Sequence, residues 1–183
     1  MSPSRYDDEL WELVPEDPGP PSETLRRFVR SLGPTERALD LGCGDGRLAA
    51  ELAASELAAA DVSPVALERA RRRLPDARIV ELEPDAALPF GDGSFDLVLC
   101  AETIEHVRDV QLLLSEIRRV LRPGGTLALT TPASLPVIRR PDPLSPHLRF
   151  FTRRSLRRLL GELGFEVESL RRSSGSLLAR ATR

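Results

Sequence analysis

The chain has no lysine, and all 26 of its basic residues are arginine. No ammonium group is therefore available to a G-x-x-x-x-G-K-[ST] phosphate loop, and no such loop occurs, which argues against a nucleotide triphosphatase. Aromatic residues make up 4% of the chain, too few to build the stacking platforms that single-stranded nucleic acid uses. Cys43 and Cys100 do not form a C-x-x-C pair, so free thiols and no metal are expected. No run of about 18 apolar residues is present to cross a bilayer. Met1 to Asp17 is polar and acidic, where a secretory leader would be basic and then apolar. A cytoplasmic protein with no membrane partner is expected.

What the chain does have is enough apolar material, 41% of 183 residues, to fill one core between a sheet and its helices. Its net charge of −2 hides an asymmetry: residues 1–138 carry 15 arginines against 24 acids, and residues 139–183 carry 11 against 4. The basic stretch reads as the solvated face of a helix bearing Arg153, Arg154, Arg157 and Arg158, or as a surface that attracts an anionic partner.

The most informative stretch is Ala38-Leu39-Asp40-Leu41-Gly42-Cys43-Gly44-Asp45-Gly46, an apolar strand running into three alternating glycines. Glycine permits positive φ and lets a ligand approach the main chain closely. A dinucleotide fingerprint G-x-G-x-x-G would need its third glycine at position 47, where Arg47 stands, so the spacing disfavours NAD and FAD.

Around this turn, helix and strand patterns alternate. Pro15 to Pro21 separates an N-terminal arm, residues 1–21, from a single domain over residues 22–183. A first helix opens at Ser22-Glu23-Thr24 and buries Leu25, Phe28, Val29 and Leu32. Strands are predicted at Ala38–Leu41, Leu57–Val62, Ala77–Leu82, Phe95–Ala101 and Thr126–Thr131. Helices are predicted at Gly46–Ala54, from the Ser63-Pro64 cap to Leu74, at Val110–Leu121 and at Thr152–Leu163. Pro132 to Phe150 reads as a long loop, and Phe165–Leu170 with Ser176–Ala181 as a closing hairpin. This order implies an α/β fold, a mainly parallel sheet with helices on both faces and an antiparallel last strand.

With these elements in place, five segments together resemble the class I S-adenosylmethionine (SAM)-dependent methyltransferases, particularly the small-molecule enzymes of ubiquinone and menaquinone biosynthesis. They are Ala38 to Gly46, Ala60-Asp61, Asp85 to Phe90 with Ser94-Phe95-Asp96, Glu105-His106-Val107, and Leu121 to Gly125. The resemblance covers residues 36–170. It implies a Rossmann-like doubly wound sheet of seven strands in the order 3-2-1-4-5-7-6, with strand seven antiparallel.

The resemblance further implies SAM as cofactor and S-adenosylhomocysteine (SAH) as product. Gly42, Cys43 and Gly44 would lie against the methionine part, with Asp40 fixing its ammonium group. Asp61, beside Val62, would accept the ribose hydroxyls. Asp85 and the Ala86 amide would take adenine, and Ala101 would complete the wall. His106 is a candidate general base or a packing residue; His147 is a second candidate base or a substrate contact. Of Glu102 and Glu105, one would point at the methionine end. Tyr6 and Trp11 read as a lid or as body packing, and Arg139, Arg140 and Arg149 as anion contacts or solvated loop residues. Cys100-Ala101-Glu102-Thr103 is not an N/D-P-P-[YFW] motif, so methylation of adenine or glutamine nitrogen is disfavoured. The expected reaction is methyl transfer to a small molecule, at oxygen. The alternatives are a protein or RNA methyltransferase using the arginine-rich C-terminal part, or a non-catalytic partner protein of the same fold.

Overall fold

The computed structural model describes residues 8, 9, 11–134 and 147–183. Tyr6, Arg139 and Arg140 lie outside the described residues. Seven strands, β1 (Thr35–Leu41), β2 (Ala54–Asp61), β3 (Arg78–Glu81), β4 (Phe95–Ala101), β5 (Leu121–Pro132), β6 (Glu166–Ser173) and β7 (Ser176–Thr182), form one sheet in the order β3-β2-β1-β4-β5-β7-β6. The first five are mutually parallel, while β7 runs antiparallel to both β5 and β6.

Among the described residues, four helices of eight residues or more flank the sheet: α1 (Glu23–Arg30), α2 (Pro64–Arg73), α3 (Val110–Val120) and α4 (Arg153–Glu162). Each starts where a side-chain oxygen takes up an orphan amide. Ser22 accepts from Leu25 N, Ser63 from Ala66 N with Pro64 in the first turn, and Asp109 from Leu112 N. Thr152 and Ser155 cap α4 reciprocally.

Alternation along the strands sorts side chains to two faces. Leu39, Leu41, Val98, Cys100, Leu127 and Leu129 pack with Leu114 and Ile117 of α3 and Leu156 and Leu160 of α4. On the other face, Ala38, Leu97, Leu99 and Ala101 meet Phe28 and Val29 of α1, while Ala59 meets Leu67 and Ala70 of α2. The result is a helix–sheet–helix sandwich in which the carboxyl ends of β1, β2 and β4 converge, the position where open α/β sheets bind ligands.

Two segments differ from the sequence reading. Residues Gly46–Ala54 do not form a helix: turns lead into a short 3-10 segment, Ala49–Glu51, and β2 begins at Ala54. Gly46 adopts φ +78°, and Asp45 Oδ1 accepts from both the amide and the guanidinium of Arg47. The local hydrogen bonds therefore close a turn in place of a helical ladder. Strand β5 also starts earlier than expected, at Leu121, and runs through Pro123-Gly124-Gly125.

The described part of the N-terminal arm lies on the body. Arg69 Nη1 donates to the Val14 and Pro15 carbonyls at 3.0 and 3.2 Å, and Arg47 Nη1 donates to Gly19 O at 3.0 Å.

Candidate active site

The turn after β1 is the floor of a cavity of about 320 Å³, bounded also by the end of β2, the segment after β3 and the segment after β4. Gly42 and Gly44 have φ of +74° and +54°, which disfavours any L side chain. Space forbids one as well: a Cβ at Gly42 would sit 2.4 Å from Thr103 Cγ2, and one at Gly44 would sit 2.5 Å from Trp11 Cζ2.

Asp61 is buried at the end of β2. Its Oδ2 accepts from Gly44 N at 2.8 Å and its Oδ1 from Ser63 N at 3.0 Å, so it ties the glycine turn to the start of α2. Burial pushes its carboxyl above the usual range, against those amide bonds. A carboxylate oxygen has two lone pairs, so each oxygen keeps capacity for one further donor. Val62, Asp85 and Ala86 also border the cavity. Asp85 holds φ +54°, and its Oδ1 accepts from Asp109 N at 3.4 Å.

Three residues expected on the cofactor wall stand behind it. Asp40 shares the face of Ala38, opposite to Leu41 of the cavity lining, because alternation along β1 turns it toward the α1 and α2 side. There it is buried with Oδ2 unpartnered; burial and then the nearby Asp61 charge push its carboxyl up to about 7, opposed by a hydrogen bond from the Ala49 backbone. Cys43 points its thiol at Gly44 O, 3.5 Å away, and packs among Ala49, Leu67, Ala70 and Leu74. Burial raises its pKa above the usual thiol range, which makes it an inert core group. Ala101 packs with Leu99 and Ala128 toward α1.

The wall after β4 carries the titratable groups. Glu102, at φ +52°, accepts from Thr130 Oγ1 at 2.9 Å, and burial raises its carboxyl. Glu105 is 1% exposed; its Oε2 accepts from Thr131 Oγ1 at 2.9 Å, while Oε1 has no hydrogen-bond partner. Burial, with a smaller contribution from the Glu102 charge, lifts it to about 7. His106 is half-buried in the cavity wall with Nε2 3.8 Å from Glu105 Oε1. The His147 ring stands 4.9 Å from His106, centroid to centroid, and Phe150 packs edge-on to it at 5.7 Å.

Glu105, His106 and His147 bring their donor atoms within 4.8 Å of one another. The 3.8 Å Glu105–His106 separation is wider than the about 3.4 Å that two ligands of a tetrahedral first-row cation span.

Trp11, expected as lid or packing, borders the cavity beside Gly44, with the Arg69 guanidinium 5.8 Å from its ring centroid. Thr103 was not singled out from the sequence. Its Oγ1 donates to the carbonyls of Ala101 and Leu41 at 3.0 and 3.3 Å, joining β4 to the glycine turn. A lone threonine after a strand carries no signal that would reveal this.

The methyltransferase-domain family matches residues 39–129, the span from β1 into β5 that contains this wall. The chain is 42% identical over 140 residues to a demethylmenaquinone methyltransferase of Clavibacter sepedonicus, covering 73% of this chain and 52% of that protein. The chain belongs to the class I SAM-dependent methyltransferases. It is 38% identical over 102 residues to a 27-O-demethylrifamycin SV methyltransferase of Amycolatopsis mediterranei, covering 51% of this chain and 38% of that one. The chain spans about half, or less, of the length of the curated relatives it matches.

Solved structures agree in fold. A SAM-dependent methyltransferase of Aquifex aeolicus superposes with a TM-score of 0.70 at 19% identity, covering 100% of this chain and 98% of that one. The [4+2]-cyclase SpnF superposes with a TM-score of 0.75 at 20% identity, covering 87% and 80%. The cofactor of this family is SAM, and the site suits it: two glycines keep side chains off the turn, and a buried, unpartnered carboxylate oxygen of Asp40 lies behind it.

Proposed function

We propose that this methyltransferase transfers the methyl group of SAM to a hydroxyl of a small molecule. What carries the reading is that one cavity is bordered both by the Gly42, Gly44, Asp61 and Asp85 cradle and by His106. When bound, SAM supplies an electrophilic methyl and a neutral leaving sulfide, so the protein's work is alignment and proton handling.

Asp61 accepts the ribose hydroxyls on its remaining lone pairs, Asp85 accepts from the adenine amino group, and the Ala86 amide donates to the ring. Gly42 and Gly44 bring main chain against the methionine part. Asp40 acts from behind the turn, its negative charge favouring the cationic cofactor. His106 takes the hydroxyl proton, and Glu105 holds the imidazolium that results. His147, its ring tilted against that of His106, orients it or contacts the acceptor. No metal is needed for this step.

The printed acceptors of the two relatives, a demethylmenaquinone and a demethylrifamycin, are small molecules, which supports a small acceptor here. Among the described residues no helix is long and apolar enough to cross a membrane. A cytoplasmic enzyme acting on metabolites fits these features.

The test is a tritiated-methyl transfer screen over phenolic, carboxylate and sugar-containing metabolites. Labelled product from the wild type, with turnover lowered about 100-fold or more in His106→Ala at unchanged KM, is expected for a general base. A change confined to KM would assign His106 to acceptor binding.

A further inference from the structure

Beside the cofactor cavity runs a second, open groove, and Asp85, Arg108 and Asp109 border both. The groove therefore continues from the cavity that contains His106, only two residues before Arg108. Its apolar surface is Val110 and Phe151, both buried, with Leu159 of α4 half-buried beside them. Flanking Arg149 in the chain, Leu148 and Phe150 are 56% and 47% exposed, unusual for large apolar residues.

Two guanidiniums border this surface, Arg108 and Arg149. Arg149 is half-buried and donates from Nη2 to the Arg108 carbonyl at 2.9 Å. Among the described residues neither arginine has a carboxylate within ion-pair distance.

The two acids of the groove form no ion pair with them and turn an oxygen to backbone instead: Asp85 Oδ1 accepts from Asp109 N, and Asp109 Oδ1 from Leu112 N at 2.9 Å. A half-buried arginine without a counter-ion leaves most of its planar fork of donors unused, and that fork matches a carboxylate. Helix α4 adds exposed Arg153, Arg154 and Arg157, which raise the local positive potential.

We propose that this groove seats an acceptor bearing a carboxylate on an apolar body, with the carboxylate held by Arg108 and Arg149 and the body against Phe151 and Leu159. The proposal rests on the methyl-transfer reading and names its acceptor class. The acceptor's hydroxyl oxygen then reaches the cavity beside His106. There its oxygen–carbon bond forms as the methyl–sulfur bond breaks, the electron pair stays on sulfur to give SAH, and the proton leaves to His106.

The test uses calorimetry on the full chain saturated with SAH. The probes are 4-hydroxycinnamate and 3-hydroxydecanoate, an aromatic and an alkyl hydroxy acid, each beside its own neutral primary amide. At least one acid is expected to bind tenfold or more tightly than its amide. That preference should collapse to within twofold in Arg149→Gln and in Arg108→Gln, and persist in Arg157→Gln. Retained SAH binding in each variant reports that it is folded, and the wild-type acid-to-amide ratio stands whether or not a variant folds. Equal affinity of acid and amide for both probes, no binding of any probe, or a preference that survives in the double variant overturns the proposal. Failure of SAH itself to bind the wild type contradicts the methyl-transfer reading instead, and the acid-to-amide ratio can then be read without SAH.

Discussion

Asp61 receives the Gly44 amide on one oxygen and the Ser63 amide on the other, so it shapes the turn and still keeps a lone pair per oxygen for a hydroxyl. Asp61→Asn can satisfy only one of those amides with its single carbonyl oxygen. Both stability and cofactor affinity should drop, the latter by about 1.5–3 kcal/mol, the range for hydrogen bonds to a charged group. Calorimetry with SAH checks this, and unchanged affinity would restrict Asp61 to holding the turn.

Asp40 makes a pH prediction. Its carboxyl sits at about 7 in the fold, against about 3.9 in an unfolded chain. Between those values the native state holds a proton that the unfolded state has released. This group's contribution to stability is therefore greatest below about pH 4 and declines as pH rises through 7. The difference between wild type and Asp40→Asn should change by about 4 kcal/mol over that window, from 1.36 kcal/mol per pKa unit. Denaturant melts at pH 4, 5, 6, 7 and 8 measure it; a pH-independent difference would show that Asp40 stays ionised. Because the sulfonium is cationic, SAM affinity should also rise from pH 6 to 8, and rise more than that of SAH.

Among the elements, α3 holds the segment that follows Asp85-Ala86 and borders the cavity. Arg119 donates to Glu116 at 2.6 and 2.8 Å and to the carbonyls of Phe90 and Leu88 at 2.8 and 3.0 Å, while Glu116 Oε2 accepts from Leu88 N at 2.8 Å. The Arg119 hydrogen bond keeps Glu116 below the usual carboxylate range. Arg119→Ala should cost about 2 kcal/mol of stability and weaken SAH binding by loosening the chain after Asp85-Ala86. Denaturant unfolding and calorimetry read the two effects, and a stability loss with intact affinity would separate this loop from the site.

The sequence revealed the elements whose pattern is set by core burial. The apolar β1, β2 and β4, the Ser63-Pro64 cap of α2 and the 3.6-residue spacing of Val110, Leu114 and Ile117 were all legible. Gly46–Ala54 was misread because Leu48, Ala49 and Leu52 have helical spacing, yet Gly46 and the Asp45 side chain close a turn there. Asp40, Cys43 and Ala101 were placed on the cofactor wall by motif position. Their side chains follow the alternation of a strand or turn whose facing was not fixed until α1, α2 and α3 were assigned to sides. The Glu105–His106–His147 cluster joins residues over 40 positions apart, and only the long connection after β5 brings His147 back to β4.

At the scale of the whole molecule, parallel strands bring chemistry from distant parts of the chain to one edge. Gly42, Asp61, Asp85 and His106 meet at the carboxyl ends of β1 to β4 because each crossover returns the next strand in the same direction. The antiparallel β6–β7 hairpin completes the sheet beyond β5 and extends its apolar face with Leu177 and Ala179. The same architecture in SpnF, described as a [4+2]-cyclase, shows that the fold alone does not fix a reaction; the side chains after β4 must do so.

The central claim, that this edge is a SAM site, is tested most directly by titrating SAH into the full chain in a calorimeter. The account predicts one site per chain with a dissociation constant in the micromolar range or tighter, weakened tenfold or more in Asp61→Asn. Absence of heat at protein and ligand concentrations that would reveal micromolar binding would contradict it.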